Sequence, residues 1–136
     1  MDIKNISNFY KNKKILIIGH TGFKGSWLSL SLKEMGSKVF GISIDIPTKP
    51  SHIKLSKIDK RIKNFKLDIR NIKNLKNKIS SIKPDIIFHL AAQSLVKKSY
   101  LKPYETWTTN LLGTLNLFEI LKNLKLKKNT SVVVIT

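Results

Sequence analysis

With 136 residues, 41% of them hydrophobic, and a net charge of +18, the sequence fits one basic globular domain and not a disordered chain. It contains no cysteine, which excludes disulfides and thiolate metal sites, so we expect no metal and a reducing, cytoplasmic location. No apolar run reaches the roughly 18 residues that a membrane span needs, so no membrane partner is expected.

Short apolar strands alternate with helical patterns along the chain, which predicts βαβ units and a parallel sheet. In chain order, the first half predicts a strand over residues 13–18, a helix over 23–35, a strand over 38–44, a loop over 47–60 and a strand over 62–67. The spacing of apolar residues predicts that the first helix buries Trp27, Leu28, Leu30 and Leu32.

The second half continues this alternation. It predicts a helix over residues 71–82, a strand over 85–90, a helical region over 94–124 that is interrupted near Pro103, and a strand over 131–136. The last part of the helical region is expected to bury Leu111, Leu115, Leu117, Phe118 and Leu121. Together these elements predict an α/β fold, a Rossmann-type doubly wound parallel sheet truncated after the fifth strand.

Three glycines, Gly19, Gly22 and Gly25, stand between the first strand and the first helix at a spacing of three and three. In such a turn, glycine permits the sharp bend, lets the main chain approach a pyrophosphate and allows close packing of the helix on the strand. The helix N-terminus adds free N–H groups and a positive dipole. The turn therefore predicts dinucleotide binding; the alternative is a tight connection without a ligand.

Asp45 follows the second predicted strand and stands twenty residues after Gly25. An acid at this distance from a glycine turn binds the ribose hydroxyls of a dinucleotide's adenosine. Because a carboxylate repels a 2′-phosphate, the position favours NAD over NADP. The alternative is that Asp45 only caps a loop.

Further candidates follow the third and fourth predicted strands. Asp68 and Ile69 would border the adenine, with the carboxylate accepting a hydrogen bond from its amino group, unless Asp68 is only a surface-turn residue. The small residues within 90–93 would let the main chain pass beside the ribose and pyrophosphate, or would simply pack in the core. Asn110 is more polar than its leucine-rich helix favours, unless it is an exposed helix residue.

Three segments of the sequence resemble the extended short-chain dehydrogenase/reductase superfamily. They read GHTGFKGSWL over residues 19–28, HLAAQSLV over 89–96 and PYETWTTN over 103–110. The residues between the glycines are more specific than the glycines themselves, and they are similar to those of one branch, the CDP-glucose 4,6-dehydratases. The resemblance spans nearly the whole chain.

The resemblance implies an enzyme that uses NAD to convert CDP-glucose into CDP-4-keto-6-deoxyglucose. Hydride leaves sugar carbon 4, water is lost across carbons 5 and 6, and the hydride returns to carbon 6. The product is a precursor of the dideoxysugars of surface polysaccharide, including O-antigen. The resemblance also implies a homodimer for the full-length enzyme.

The resemblance assigns cofactor-binding residues by position. They are Gly19, Thr21, Gly22, Phe23, Lys24 and Gly25 in the turn, Asp45 for the ribose, Asp68 and Ile69 for the adenine, Leu90, Ala91, Ala92 and Gln93 after the fourth strand, and Asn110 as support for the active site. Ser94 is the candidate contact to the sugar nucleotide.

The sequence departs from the family where the catalytic residues belong. In the family, a catalytic serine or threonine follows the fifth strand and a Tyr-x-x-x-Lys pair comes later, beyond Thr136. Tyr10 and Lys14 have the spacing of that pair, but they precede and enter the first strand, at the opposite end of the sheet from the cofactor. We therefore expect residues 1–136 to form an incomplete NAD-binding domain, an N-terminal fragment without catalytic residues.

Other functions are compatible with parts of the sequence. A dehydratase or epimerase acting on another nucleotide sugar, such as GDP-mannose or dTDP-glucose, would share the turn, and so would a catalytically silent dinucleotide sensor. A nucleic-acid binder would use the positive charge, but all except two of the 26 basic residues are lysines, spread along the chain. Because nucleic-acid readers favour arginine for bidentate contacts, no specific nucleic acid is expected.

Overall fold

The computed structural model describes residues 3–124 and 130–135. The strands within these residues are β1 Lys14–Ile18, β2 Lys38–Ser43, β3 Lys63–Lys66, β4 Ile86–His89 and β5 Ser131–Val134. They form one parallel sheet in the order β3-β2-β1-β4-β5. The predicted Rossmann-type sheet is confirmed, and each strand lies within its predicted range; residue 136 of the predicted last strand lies outside the described residues.

Helices precede or connect the strands, and they cover both faces of the sheet. They are α1 Ile3–Tyr10, α2 Phe23–Glu34, α3 His52–Leu55, α4 Ile72–Ile82, α5 Val96–Leu101, α6 Pro103–Trp107 and α7 Gly113–Asn123. A π-helical turn, Thr108–Leu112, joins α6 to α7 and is called the Asn110 turn below. The helical region predicted over 94–124 is thus interrupted at Pro103, as expected, and again at the Asn110 turn.

The prediction of a loop over residues 47–60 is wrong, because this segment contains α3 and a 3₁₀ turn, Ile58–Lys60. Ile53 and Ile58 anchor the two short elements, since they are only 1% and 0% exposed. Burial of each isoleucine contributes roughly 1.5–3 kcal/mol. Elements this short cannot repeat an apolar position, so the sequence shows no helical period there.

Two hydrophobic clusters cover the two faces of the sheet, as a doubly wound fold requires. Alternate residues of β1 point to opposite clusters, and all of Ile15, Leu16, Ile17 and Ile18 are 0% exposed. On one face, α4 and α7 contribute Leu75, Ile79, Ile82, Leu117 and Ile120. On the other face, α2 contributes Leu32. The central strand is therefore fixed on both sides.

The buried face of α2 differs from the prediction. Trp27 is 48% exposed, and Leu28 and Leu30 are only partly buried, so Leu32 alone of the four predicted residues is in the core. The other buried positions of α2 are small, namely Gly25, Ser26 and Ser29. The reason is close approach: where α2 crosses the glycine turn, a large side chain on the inner face has no room.

The prediction that α7 and the Asn110 turn bury five apolar side chains is only partly correct. Leu117 is 0% exposed and Leu121 packs against the core, but Leu111, Leu115 and Phe118 are 47%, 49% and 48% exposed. The inward stripe of α7 consists instead of Gly113, Leu117 and Ile120. These positions follow the four-and-three spacing of one helix face. Leu111, Leu115 and Phe118 have the same spacing but lie on a different face, which points away from the core.

Candidate functional site

The sheet order places a crevice between the carboxyl ends of β1 and β4, where the strand order reverses. In open α/β sheets, ligands bind at such switch points. The loops after the two strands touch here: a Cβ on Gly19 would lie 2.6 Å from the main-chain nitrogen of Ala91. Gly19 also has a φ of +94°, which side chains disfavour. We call this groove the β1–β4 crevice.

The other two glycines of the turn have opposite surroundings. A Cβ on Gly25 would overlap the carbonyl oxygen of Gly19, so Gly25 allows α2 to pack against the turn. A Cβ on Gly22 would meet only that same oxygen, at 3.5 Å, and otherwise open space. Gly22 therefore leaves room for a ligand beside the helix N-terminus, whereas Gly19 and Gly25 are required by the fold itself.

The N-terminus of α2 presents hydrogen-bond donors to this space. Gly22 is the N-cap residue and makes no side-chain capping bond. The N–H groups of Phe23, Lys24 and Gly25 fall in the first turn of the helix, where no intrahelical acceptor exists. Together with the helix dipole, these groups suit the two phosphates of a dinucleotide.

Thr21 ties the glycine turn to the end of β2. Its hydroxyl donates to the Asp45 carbonyl oxygen over 2.6 Å, and its N–H donates to the Ser43 hydroxyl oxygen over 3.3 Å. Asp45 is exposed, and its carboxylate forms no ion pair with any residue that the structure describes. A cavity of about 460 Å³ lies beside it, lined in part by Thr21, Asp45 and Lys66. The geometry thus brings the predicted ribose acid next to the predicted phosphate turn.

His20 is a buried residue of the turn that sequence reasoning missed. It is 3% exposed, its ring lies against Gly41 of β2, and its Nδ1 is 3.0 Å from the Ser43 hydroxyl. Burial lowers the pKa of His20, which keeps the ring neutral beside the phosphate turn. Gly41, a glycine inside a strand, is the sequence signal for such a close approach.

Asp68, predicted to face the adenine, is held by Arg70. The Arg70 main-chain N–H donates to Oδ1 of Asp68 over 2.9 Å, and Nη2 donates to Oδ2 over 2.6 Å. The side-chain hydrogen bond from Arg70 is the main reason why the pKa of Asp68 is lowered. The carboxylate is therefore ionised and fixed in orientation. Arg70 is the second site residue that sequence reasoning missed.

Ile69 forms part of the core rather than an open wall. It is 6% exposed, and a Cβ on Gly113 would overlap its side chain. The Asn116 side-chain amide donates to the carbonyl oxygens of Ile69 and Arg70, each over 3.1 Å. The start of α7 thus fixes the loop after β3 from behind.

The Asn110 side chain holds the segment after β4. Its Oδ1 accepts from the Gln93 N–H over 2.7 Å, and its Nδ2 donates to the Gln93 carbonyl oxygen over 3.1 Å. The Gln93 side chain in turn donates to the Thr106 hydroxyl oxygen over 3.0 Å. Ser94 follows at an exposed position, next to this fixed segment.

Most of the predicted residues fall into two groups around the crevice. The glycine turn and Asp45 form one side, and the segment of residues 90–93 with Asn110 forms the other. The Tyr10 and Lys14 pair lies at the amino end of β1, where Lys14 Nζ donates to the Ile82 carbonyl oxygen. This placement separates the pair from the crevice by the length of the strand.

Over residues 3–124 and 130–135, no group of three or more histidine, aspartate or glutamate side chains is placed to hold a metal ion. In the same part of the chain, no helix has the length and apolar character needed to cross a membrane.

A parallel sheet with a glycine turn at its switch point defines the class of Rossmann-type α/β proteins. Within this class, the family model described as GDP-mannose 4,6 dehydratase matches residues 16–136. The chain therefore belongs to this family of nucleotide-sugar 4,6-dehydratases and epimerases, a part of the extended short-chain dehydrogenase/reductase superfamily.

Curated relatives are similar over most of the chain. A CDP-glucose 4,6-dehydratase from Salmonella typhimurium is 47% identical over 115 residues, which cover 85% of this chain and 32% of the relative. A GDP-mannose 4,6-dehydratase from Vibrio cholerae is 35% identical and covers 88% of this chain and 34% of the relative. The chain thus spans about a third of the length of these relatives.

Solved structures show the same fold. A UDP-glucose 4-epimerase from Thermotoga maritima, solved with UDP-glucose, has a TM-score of 0.76 and 26% identity, and covers 89% of this chain and 37% of that one. A UDP-glucose 4-epimerase from Thermus thermophilus, solved in complex with NAD, has a TM-score of 0.69 and 29% identity. It covers 79% of this chain and 33% of that one.

Proposed function

We propose that this chain binds NAD in the β1–β4 crevice and forms the cofactor-binding part, residues 1–136, of a CDP-glucose 4,6-dehydratase. The observation that carries the proposal is the open space at Gly22 beside the unpaired N–H groups at the start of α2. Asp45 beside that space supplies the acid that a ribose diol needs. The NAD complex of the Thermus thermophilus epimerase supports the choice of cofactor.

Different residues would bind the pyrophosphate, the adenosine ribose and the adenine of NAD. The pyrophosphate would be held by the main-chain N–H groups of Phe23, Lys24 and Gly25, and the adenosine ribose by Asp45. The adenine would lie near Asp68, whose orientation Arg70 fixes, and residues 90–93 would border the rest of the cofactor. When bound, NAD supplies the hydride acceptor for sugar carbon 4 and the hydride donor for carbon 6.

The Asp45 carboxylate gives the site its preference between cofactors. Its charge favours two ribose hydroxyls as donors and repels a 2′-phosphate, so NAD binds in preference to NADP. Nearby, burial keeps His20 neutral, which leaves the phosphates to the main-chain donors. The chain's own role is therefore to bind and orient the cofactor.

The choice of CDP-glucose as substrate is supported by the 47% identity to the Salmonella enzyme. Ser94, exposed beside the fixed Gln93, is the proposed contact to the sugar nucleotide. The product would be CDP-4-keto-6-deoxyglucose, a precursor for surface polysaccharide. The alternative substrate is GDP-mannose, which the description of the matching family model favours.

Catalysis is not assigned to any described residue of this chain. Tyr10 and Lys14 lie at the wrong end of β1 for a proton transfer in the crevice. We therefore expect the 136-residue protein alone to form no 4-keto product from CDP-glucose.

Apolar side chains exposed on one outer surface support the proposal of a homodimer for the full-length enzyme. Trp107, Leu111, Leu115 and Phe118 are 67%, 47%, 49% and 48% exposed. Such side chains in one helical region are typical of a surface that becomes covered by a partner.

A cytoplasmic location, expected from the sequence, stays a prediction.

The experiment that tests the proposed function is a calorimetric titration of the 136-residue protein with NAD and with NADP. We expect saturable 1:1 binding of NAD, at least about tenfold tighter than binding of NADP, which corresponds to about 1.4 kcal/mol. Folded protein that binds neither dinucleotide would refute the proposal.

A further inference from the structure

A chain of hydrogen bonds runs from the core of the sheet to the main chain of Gln93. His89, the last residue of β4, is 2% exposed, and its Nε2 lies 2.9 Å from the Thr114 hydroxyl oxygen. That hydroxyl donates to the Asn110 carbonyl oxygen over 2.8 Å. The Asn110 side chain then binds both main-chain polar groups of Gln93. The chain therefore joins a buried strand end to one side of the β1–β4 crevice.

The direction of these bonds fixes the tautomer of His89. A hydroxyl has a single proton to donate, and because that of Thr114 goes to Asn110, its oxygen must accept the proton on Nε2. Nδ1 then carries a lone pair, and it has no hydrogen-bond partner among the described residues. Burial lowers the pKa of His89, which keeps the ring neutral and leaves the lone pair on Nδ1.

The buried His89 makes the fold less stable than an apolar side chain at the same position would. A buried acceptor without a partner is unfavourable, whereas a leucine at position 89 would fill the core without that penalty. What the imidazole provides instead is the bond to Thr114. That bond supports the Asn110 turn, whose π-helical geometry is rare and occurs frequently at functional sites.

We propose that His89 and Thr114 are positioning residues for cofactor binding. They hold the Asn110 turn, and through Asn110 the main chain of Gln93, in the conformation that accepts the dinucleotide. The inference rests on the proposed function for the identity of the ligand, while the effect on Gln93 is independent of it. When the bonds are lost, the apparent affinity falls with the fraction of molecules that keep this conformation.

Paired substitutions distinguish the effect of losing the hydrogen bond from the effect of changing the side-chain volume. Thr114→Val removes the hydroxyl at nearly constant volume, and Thr114→Ser keeps it. His89→Leu removes the donor, and His89→Gln keeps an amide N–H that can reach the same oxygen. Thr130→Val is the matched control, because it removes a hydroxyl that donates to the Pro84 carbonyl oxygen over 3.0 Å, at the amino end of β5.

Two measurements are made on each variant: NAD affinity by calorimetry, and the hydrogen-exchange rate of the Gln93 amide by NMR. We expect Thr114→Val and His89→Leu to weaken NAD binding about fivefold, the effect of one net hydrogen bond, and to speed exchange at Gln93. Thr114→Ser and His89→Gln should restore both values toward wild type. Thr130→Val should change neither.

The outcomes distinguish this inference from the proposed function. Wild-type affinity and wild-type Gln93 exchange in Thr114→Val would overturn the inference, even if NAD binds well. If the wild-type protein binds no NAD, the proposed function fails, and Gln93 exchange alone then decides whether the bonds position this segment. Should Thr114→Val not fold, the comparison of His89→Gln with His89→Leu decides in the same way.

Discussion

The glycines of the turn show how one residue type can have different roles within seven positions. Gly19 and Gly25 face main-chain atoms that a methyl group would overlap, so the fold itself requires them. Gly22 faces open space, and its φ of −68° and ψ of 168° suit any residue. Nothing in the fold requires glycine at position 22, which points to a ligand as the reason for it.

We therefore predict opposite effects for two alanine substitutions. Gly22→Ala should destabilise the protein by less than about 1 kcal/mol, because only the cap changes, yet weaken NAD binding at least about tenfold. Gly25→Ala should lower the free energy of unfolding by about 2–3 kcal/mol, because the helix must move away from the turn. Urea unfolding and calorimetry measure the two effects, and NAD binding by Gly22→Ala at wild-type affinity would contradict the assignment.

Asp45 carries the predicted discrimination between cofactors. Asp45→Asn removes the charge that repels a 2′-phosphate and weakens the bonds to the ribose, so the ratio of NAD to NADP affinity should fall at least about tenfold. Glu34→Gln makes the same change of charge at a surface ion pair with Arg61 and serves as the control. A ratio that falls equally in both variants would indicate a general effect of charge and not a contact at Asp45.

Site residues that depend on local patterns could be predicted from the sequence, and those that depend on distant partners could not. The glycine turn and Asp45 follow from spacing along one βαβ unit. His20 acts through Ser43, 23 residues away, and Asn116 through Ile69, 47 residues away. Nothing in the local pattern around these two residues indicates such a partner.

At the scale of elements, the strands were predicted well and the helix faces less so. A strand with apolar residues on both faces, such as β1, is expected to be buried on both sides whichever way it is turned. In a helix with several apolar residues, more than one face could be buried. Which face is buried depends on the element that the helix packs against. For α2 the underlying glycine turn favours small residues, so Trp27 lies outward and stacks on His52 at a centroid distance of 4.1 Å.

The start of α4 offers a quantitative test of an element boundary. Oδ1 of the N-cap residue Asn71 accepts from the Asn74 N–H over 3.0 Å. Asn71→Ala should lower the free energy of unfolding by about 1 kcal/mol, the usual effect of losing a cap. Asn77→Ala, at an exposed position inside the same helix, is the control and should be neutral or slightly stabilising because alanine favours helix. Equal losses in both variants would mean that the cap does not contribute.

At the scale of the whole molecule, two buried histidines couple stability to pH. Burial lowers the pKa of both His20 and His89 in the folded state below the usual histidine value of about 6.5. The unfolded chain therefore binds more protons than the folded one as the pH falls below that value. Their contribution is fully present above about pH 6.5 and is lost as the pH falls through the lower folded-state pKa values.

Urea unfolding between pH 8 and pH 5 measures this coupling. The midpoint should fall as the solution is acidified below about pH 6.5, and it should fall less in His89→Gln, which has one titrating group fewer. A wild-type midpoint that stays constant or rises over this range would contradict the burial of neutral histidines.

Binding of NAD in the β1–β4 crevice can be measured residue by residue in an NMR titration of the labelled 136-residue protein with NAD. We expect saturable shifts of the amides in residues 21–25, at Asp45 and in residues 90–93, with Lys14 at the amino end of β1 and the α4 surface nearly unchanged. No shifts, or shifts confined to the cavity lined by Asn71, Asn77 and Lys78, would contradict it.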